Sequence, residues 1–243
     1  MTPRPVRAVL ADLDDTLFDH SAATRRSLQR LCGVETTLAS RPFDDLVRAH
    51  NEILETLHRD VLAGRRTIDE ARDERFRRLL ALGGETDEPA TLTRARAAAR
   101  FYRQVYQETW AVVPGAEALL GALRQAGLPI VVVTNNSTRE QRLKLEQTGL
   151  APLIDVLVTS EDEGVSKPDA RIFRAALARI QIEAEDAVMF GDAWAADIAG
   201  ARSAGIRAVW FNRWNAPTPD GTVAEVRSLE PAAEVAEVIL GRV

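Results

Sequence analysis

Apolar residues along the chain fall into two alternating patterns. Short apolar runs, each containing valine, recur at residues 6–13, 129–134, 156–159, 187–190 and 207–211, and each reads as a buried strand. Between them, apolar positions repeat at helical spacing. Ala116, Leu119, Leu120, Leu123 and Ala126 make one stripe, which Gly127 ends; Ile172, Phe173, Ala176, Leu177 and Ile180 make another. Strands that alternate with helices predict β-α-β units around a parallel sheet, an α/β fold.

Residues 18–111 break that alternation. Three helical stripes run through them, the first through Phe43, Leu46, Val47, His50, Ile53, Leu54 and Leu57, the second through Ile68, Ala71, Arg75, Phe76 and Leu79. Leu92, Ala95, Ala99, Tyr102 and Tyr106 form the third, and no strand pattern intervenes. The spacing predicts an inserted helical domain over 18–111. Residues 1–17 and 112–243 then make up the α/β core, re-entered at Val112-Val113-Pro114-Gly115.

Composition narrows the function classes. The chain has 243 residues, 46% hydrophobic and 28% charged, as expected of a folded globular protein. A net charge of -5 gives no general attraction to a nucleic acid polymer. The absence of a bilayer-length apolar run or a signal-type N-terminus predicts a cytoplasmic protein without a membrane partner. Cys32 is the single cysteine, which rules out an internal disulfide. Of 31 basic residues only Lys144 and Lys167 are lysines, so each lysine carries more information than an arginine would.

Four predicted strand ends carry polar residues that suit one reaction. The first bears Asp12 and Asp14, the second Thr134-Asn135-Asn136, the loop after the third Lys167-Pro168, and the fourth Gly191-Asp192 with Asp197 following. In a parallel sheet these ends share one edge, where α/β proteins bind their ligands. Asp12, Asp14 and Asp192 together concentrate negative charge that calls for a cation, and all-oxygen ligation favours a hard ion such as Mg2+. Lys167 and the Thr134 hydroxyl supply a charge and a donor for phosphate oxygens. One carboxylate can then attack phosphorus while the second protonates the leaving oxygen and later activates water.

These segments resemble the motifs of the haloacid dehalogenase (HAD) superfamily: Asp12-Leu13-Asp14-Asp15-Thr16, Thr134-Asn135, Lys167-Pro168-Asp169, and Gly191-Asp192 with Asp197. The resemblance covers the whole core and implies a Rossmann-like parallel sheet, with the helical insertion matching a type I cap that covers the site. It implies that Asp12 is the nucleophile and Asp14 the general acid/base, with Thr134, Asn135 and Lys167 binding phosphate. It also implies Mg2+ held by the Asp12 carboxylate, the Asp14 backbone carbonyl and Asp192, and Asp197 orienting Lys167 or a metal-bound water.

Within the superfamily, Asp14 argues against the 2-haloacid dehalogenases, which lack that acid and use no magnesium. The phosphonatases need a cap lysine, and residues 18–111 contain none. The segments 134–150 and 160–169 look like pyrimidine nucleoside monophosphate 5'-phosphatases, with N-acylneuraminate 9-phosphate phosphatases close behind. In both, glycine commonly follows the Thr-Asn pair; here Asn136 stands there, as a residue tolerant of left-handed backbone. The expected reaction is hydrolysis of a small soluble phosphate ester, with a nucleoside monophosphate among the candidates. A sugar-phosphate phosphatase or phosphomutase of the same fold is one alternative, and an inactive regulatory HAD-fold protein is another. In the insertion, His50 reads as packing, while Asn51, Arg75 and His20 are candidate substrate contacts.

Overall fold

The computed structural model describes residues 4–84 and 88–242, with the backbone alone for 88–90. The described chain forms two compact units, one of residues 4–19 and 111–242 and the other His20–Trp110.

The first unit is built on six parallel strands. They are β1 (Ala8–Ala11), β2 (Ile130–Thr134), β3 (Val156–Thr159), β4 (Ala187–Gly191), β5 (Arg207–Phe211) and β6 (Ala224–Val226), in the order β3-β2-β1-β4-β5-β6. Chain order reverses beside β1, so the sheet has its switch point at the ends of β1 and β4, where a crevice opens in folds of this kind. β1, β2 and β4 are buried along their whole length, which explains why they read as unbroken apolar runs rather than alternating ones. Register sets the ends level, pairing Ala11 with Phe190 and Val132, and Thr134 with Thr159.

β1 is shorter than the run 6–13 predicts, and the reason is local. The Leu13 carbonyl accepts from the amides of Thr16, Leu17 and Phe18, so the chain leaves the sheet in a tight turn directly after Asp12. Asp15 takes the left-handed conformation in that turn, with φ 63°, and its amide donates to the Phe18 carbonyl. β6 and the last helix were not apparent from the pattern, because β6 is a three-residue edge strand with one buried position.

The second unit contains helices only, as the pattern predicts. They are α1 (His20–Val34), α2 (Thr36–Ala39), α3 (Phe43–Leu62), α4 (Ile68–Ala81) and α5 (Glu88–Glu108). α5 packs against α1 and α4, and α3 packs against α4. A capping box begins α4: the Thr67 hydroxyl accepts from the Glu70 amide, and the Glu70 carboxylate accepts from the Thr67 amide. Leu46, Leu57, Phe76, Leu79, Ala95 and Tyr102 from the predicted stripes are buried in its core.

Back in the first unit, α6 (Ala116–Gln125) leads to β2 and α7 (Thr138–Gln147) follows it. Then come α8 (Ser160–Glu163), α9 (Ala170–Ile180), a π-helical turn at Trp194–Ala199, α10 (Gly200–Ser203) and α11 (Ala232–Leu240). Leu10, Val131, Val133, Ile172, Phe173 and Met189 belong to the core between the sheet and α9. Burying side chains of this size contributes about 1.5–3 kcal/mol each relative to exposure, which is the force that holds the strand ends in register.

Candidate active site

The turn after β1 brings Asp12 to the switch point, where it is almost fully buried. Its Oδ1 accepts from the Lys167 ammonium at 2.5 Å, and the same ammonium donates to Asp197 Oδ1 at 2.6 Å. Lys167 comes from the loop between α8 and α9. Asn135 fixes that loop by exchanging bonds with it: the Lys167 amide donates to Asn135 Oδ1 at 2.7 Å, and Asn135 Nδ2 donates to the Lys167 carbonyl at 2.9 Å. Asn135 therefore acts on the loop backbone in this arrangement.

Asp197 sits on the π-helical turn with no exposed surface, its Oδ2 accepting the Ala193 amide at 3.0 Å. A side chain at Gly191 would collide with this carboxylate, which is why glycine must close β4. Asp192 follows. Its Oδ1 accepts from the Thr16 hydroxyl and its amide donates back to the Thr16 oxygen, both at 3.1 Å, while the Trp210 indole donates to its carbonyl at 2.8 Å. Thr16 thus ties the turn after β1 to the end of β4.

The electrostatics follow from burying like charges together. Burial pushes the Asp12 carboxyl up to about 7 against the pull of Lys167, and the Asp197 and Asp14 charges add to the rise. Burial likewise raises Asp192 to about 8, reinforced by Asp12 and Asp197. Burial works against the Lys167 ammonium, but Asp12 and Asp197 outweigh it and push its pKa up, so it stays charged.

Asp12, Asp192 and Asp197 present carboxylate oxygens within 4.8 Å of one another. Asp197 has given both oxygens to Lys167 and the Ala193 amide, so Asp12 and Asp192 are the pair with capacity left for a cation. The donor set is hard oxygen, and the raised pKa values of that pair express a cost that a divalent cation would remove. The residues present fit Mg2+.

Asp14 lies apart from this trio. Its Oδ1 accepts from the Lys144 ammonium at 2.5 Å and its Oδ2 from Gln141 Nε2 at 3.0 Å. Gln141 Nε2 also donates to the Thr134 hydroxyl at 2.6 Å, which leaves the Thr134 O–H proton to be donated elsewhere. The motif reading assigned no part to Lys144, Gln141 or Thr16. The available signal was the scarcity of lysine, which marked Lys144 without naming its partner.

Asn136 corrects one expectation. It is not among the residues with left-handed backbone; instead its Oδ1 caps the Ser137 amide at 2.8 Å, so the turn has no need of a glycine's freedom. On the second unit, His20 Nδ1 bonds the Tyr106 hydroxyl at 2.6 Å, and Arg75 lies over the rings of Phe76 and Tyr102. Asn51 is exposed and bonds His50 Nδ1 through its Oδ1 at 3.1 Å.

Comparison with known proteins identifies the family. A family model described as haloacid dehalogenase-like hydrolase matches residues 6–205. A ribulose-1,5-bisphosphate 5-phosphatase from Halopiger xanaduensis is 33% identical over 209 residues, 84% of each chain. The pyrimidine 5'-nucleotidase YjjG of Escherichia coli is 30% identical, covering 91% of this chain and 95% of its own length. Among solved structures, the magnesium-bound HAD-hydrolase YfnB from Bacillus subtilis superposes with a TM-score of 0.74 at 28% identity, covering 96% of this chain and 99% of that one. With its family matched over most of its length, and buried Asp12 and Lys167 brought together with half-buried Asp192 at one sheet edge, the chain belongs to the haloacid dehalogenase-like hydrolases and is an enzyme of their phosphatase kind.

Proposed function

We propose that the protein hydrolyses phosphate monoesters of small soluble molecules through an aspartyl-phosphate on Asp12, and that nucleoside monophosphates are among its substrates. One observation carries the reading: a buried carboxylate, Asp12, is held by a buried ammonium, Lys167, while a second carboxylate two residues on is held separately.

Lys167 engages Asp12 Oδ1, and Oδ2 receives no hydrogen bond among the described residues, so Oδ2 is the oxygen that attacks. Two of the three ammonium protons of Lys167 serve Asp12 and Asp197, and the third is directed to a phosphoryl oxygen. The Thr134 hydroxyl donates to another. A bond forms between Asp12 and phosphorus as the ester P–O bond breaks, and the leaving oxygen takes its proton from Asp14. Asp14, now ionised, takes a proton from water as that water attacks phosphorus. The Asp12–phosphorus bond breaks, phosphate departs, and both carboxyl groups return to their starting states. Asp12 and Asp192, with the Asp14 backbone carbonyl, would hold Mg2+, which would supply positive charge against the phosphoryl oxygens.

Support for the substrate class comes from the segments 134–150 and 160–169 and from relatives that act on a nucleotide and on a sugar bisphosphate. The test is a screen of nucleoside monophosphates, sugar phosphates and a sialic acid 9-phosphate with Mg2+, alongside Asp12→Asn. Turnover by the wild type, abolished in Asp12→Asn and by chelation, is expected. Undiminished turnover in Asp12→Asn would remove the nucleophile, and a sugar phosphate outranking every nucleotide would remove the substrate preference.

A further inference from the structure

A chain that answers nearly every need for a basic residue with arginine keeps lysine at two positions, and both lysines are buried at this one site. Each donates to a different acid of the Asp12-Leu13-Asp14 triplet, Lys167 to Asp12 and Lys144 to Asp14, both at 2.5 Å. Lys167 belongs to the motif set. Lys144 does not.

Lys144 lies on α7 and is 1% exposed. Its ammonium sits 4.7 Å from the centre of the Phe18 ring, so it is held between an aromatic face and the Asp14 carboxylate. One turn earlier on the same helix, fully buried Gln141 donates to the other oxygen of Asp14. Residues three apart on a helix are neighbours on one face, so α7 presents two donors, one to each oxygen of a single carboxylate. The Gln141 amide nitrogen also bonds the Thr134 hydroxyl, and its Oε1 accepts no hydrogen bond among the described residues. The amide is therefore oriented by its two acceptors, and it links Asp14 to Thr134 through one atom.

We propose that Lys144 and Gln141 are positioning residues, which hold the Asp14 carboxylate at the angle from which it exchanges a proton with the ester oxygen and with water. The proposal rests on the phosphatase reading above. A compact ammonium suits the task, since it puts a full charge beside the carboxylate from a slender stem that can be buried, whereas a guanidinium brings a wide planar fork. Each acts on the ester through the Asp14 carboxylate to which it donates. Their effect is geometric, and misplacement of a catalytic group by as little as 1 Å is costly.

Leaving-group dependence separates positioning from general structural damage. A p-nitrophenolate departs with little help, whereas the alkoxide of a nucleoside or glycerol phosphate needs its proton. In rapid-quench measurements of the phosphorylation step, Lys144→Met and Gln141→Leu are expected to slow alkyl esters by about 10²-fold. The same variants should slow p-nitrophenyl phosphate severalfold at most and leave its KM nearly unchanged, while the phosphoenzyme persists longer than in the wild type. Equal losses with both ester classes, or no loss with either, would overturn the proposal. A crystal structure of Lys144→Met gives a readout independent of turnover: Asp14 should turn away from Gln141, and an unmoved carboxylate would count against positioning. Asp12→Asn run in parallel keeps the two ideas apart. If wild type is active and Asp12→Asn is not, a failure limited to the α7 variants overturns the positioning role alone; an inactive wild type overturns the phosphatase reading, and the proton-transfer role with it.

Discussion

The two units treat buried polarity in opposite ways. In the α/β unit, Asp12, Lys167 and Asp197 are buried together, and each is engaged by another. In the helical unit, the buried imidazole of His50 lies among rings, 5.3 Å from Tyr102 and 6.3 Å from Phe76, and its Nε2 has no hydrogen-bond partner among the described residues. Charged pairs there, such as Arg48 with Asp45 and Arg65 with Asp60, lie toward solvent. Strand ends and the loops that follow them present amides, hydroxyls and ammonium groups from several directions, so charge can be buried in company. Packed helical faces offer mainly side chains, and a polar group buried there stays neutral. Chemistry therefore collects at the sheet edge.

The largest break of this contrast comes from removing the cation of the buried cluster. Lys167→Met should lower kcat/KM toward an aryl phosphate by about 10²- to 10³-fold and destabilise the fold by about 3–5 kcal/mol, because two buried carboxylates lose their partner. Steady-state kinetics with Mg2+ and chemical denaturation read the two effects, and near-normal turnover would take Lys167 out of phosphate binding.

A smaller effect tests the neutral imidazole. Burial, with Arg75 adding to it, pushes the His50 pKa down to about 3 from an unfolded value near 6.5. The unfolded chain thus binds the proton first as pH falls. The stability tied to neutral His50 is fully present above about pH 6.5 and is lost toward pH 3, at up to about 1.4 kcal/mol per pH unit. Denaturation midpoints across that range should fall less steeply in His50→Phe than in the wild type; parallel slopes would contradict the assignment.

The smallest effect is expected at the surface of the helical unit. Arg48 donates to Asp45 at 2.6 Å, one turn away on α3 and open to solvent. Arg48→Ala should change stability by less than about 0.5 kcal/mol. A loss above 1 kcal/mol, measured by urea titration, would mean that surface charge holds this unit together more than its apolar stripes do.

Much of the architecture was legible in the chain because local pattern and burial agree. Apolar runs became β1 to β5, and the stripes through Leu46, Phe76 and Tyr102 became packed helices. β6 escaped because a short edge strand leaves almost no periodic signal. The motif residues were legible as chemistry at strand ends, since Asp, Thr, Lys and Gly-Asp stand where β1, β2, β4 and the loop before α9 present them. Facing on the helical unit was much less so. His50 and Asn51 are adjacent, yet one is fully buried and the other exposed, a difference set by which helix lies against α3.

Taken alone, the sequence determines where strands and helices alternate, that a helical segment interrupts them, and which polar residues stand at the strand ends, because each is a property of neighbours along the chain. Which lysine serves which acid was decided only by the tertiary structure. Lys144 follows Asp14 by 130 positions, and Lys167 follows Asp12 by 155. No periodicity relates residues that far apart. Strand order and register bring them together, and burial then requires every charge to find a partner.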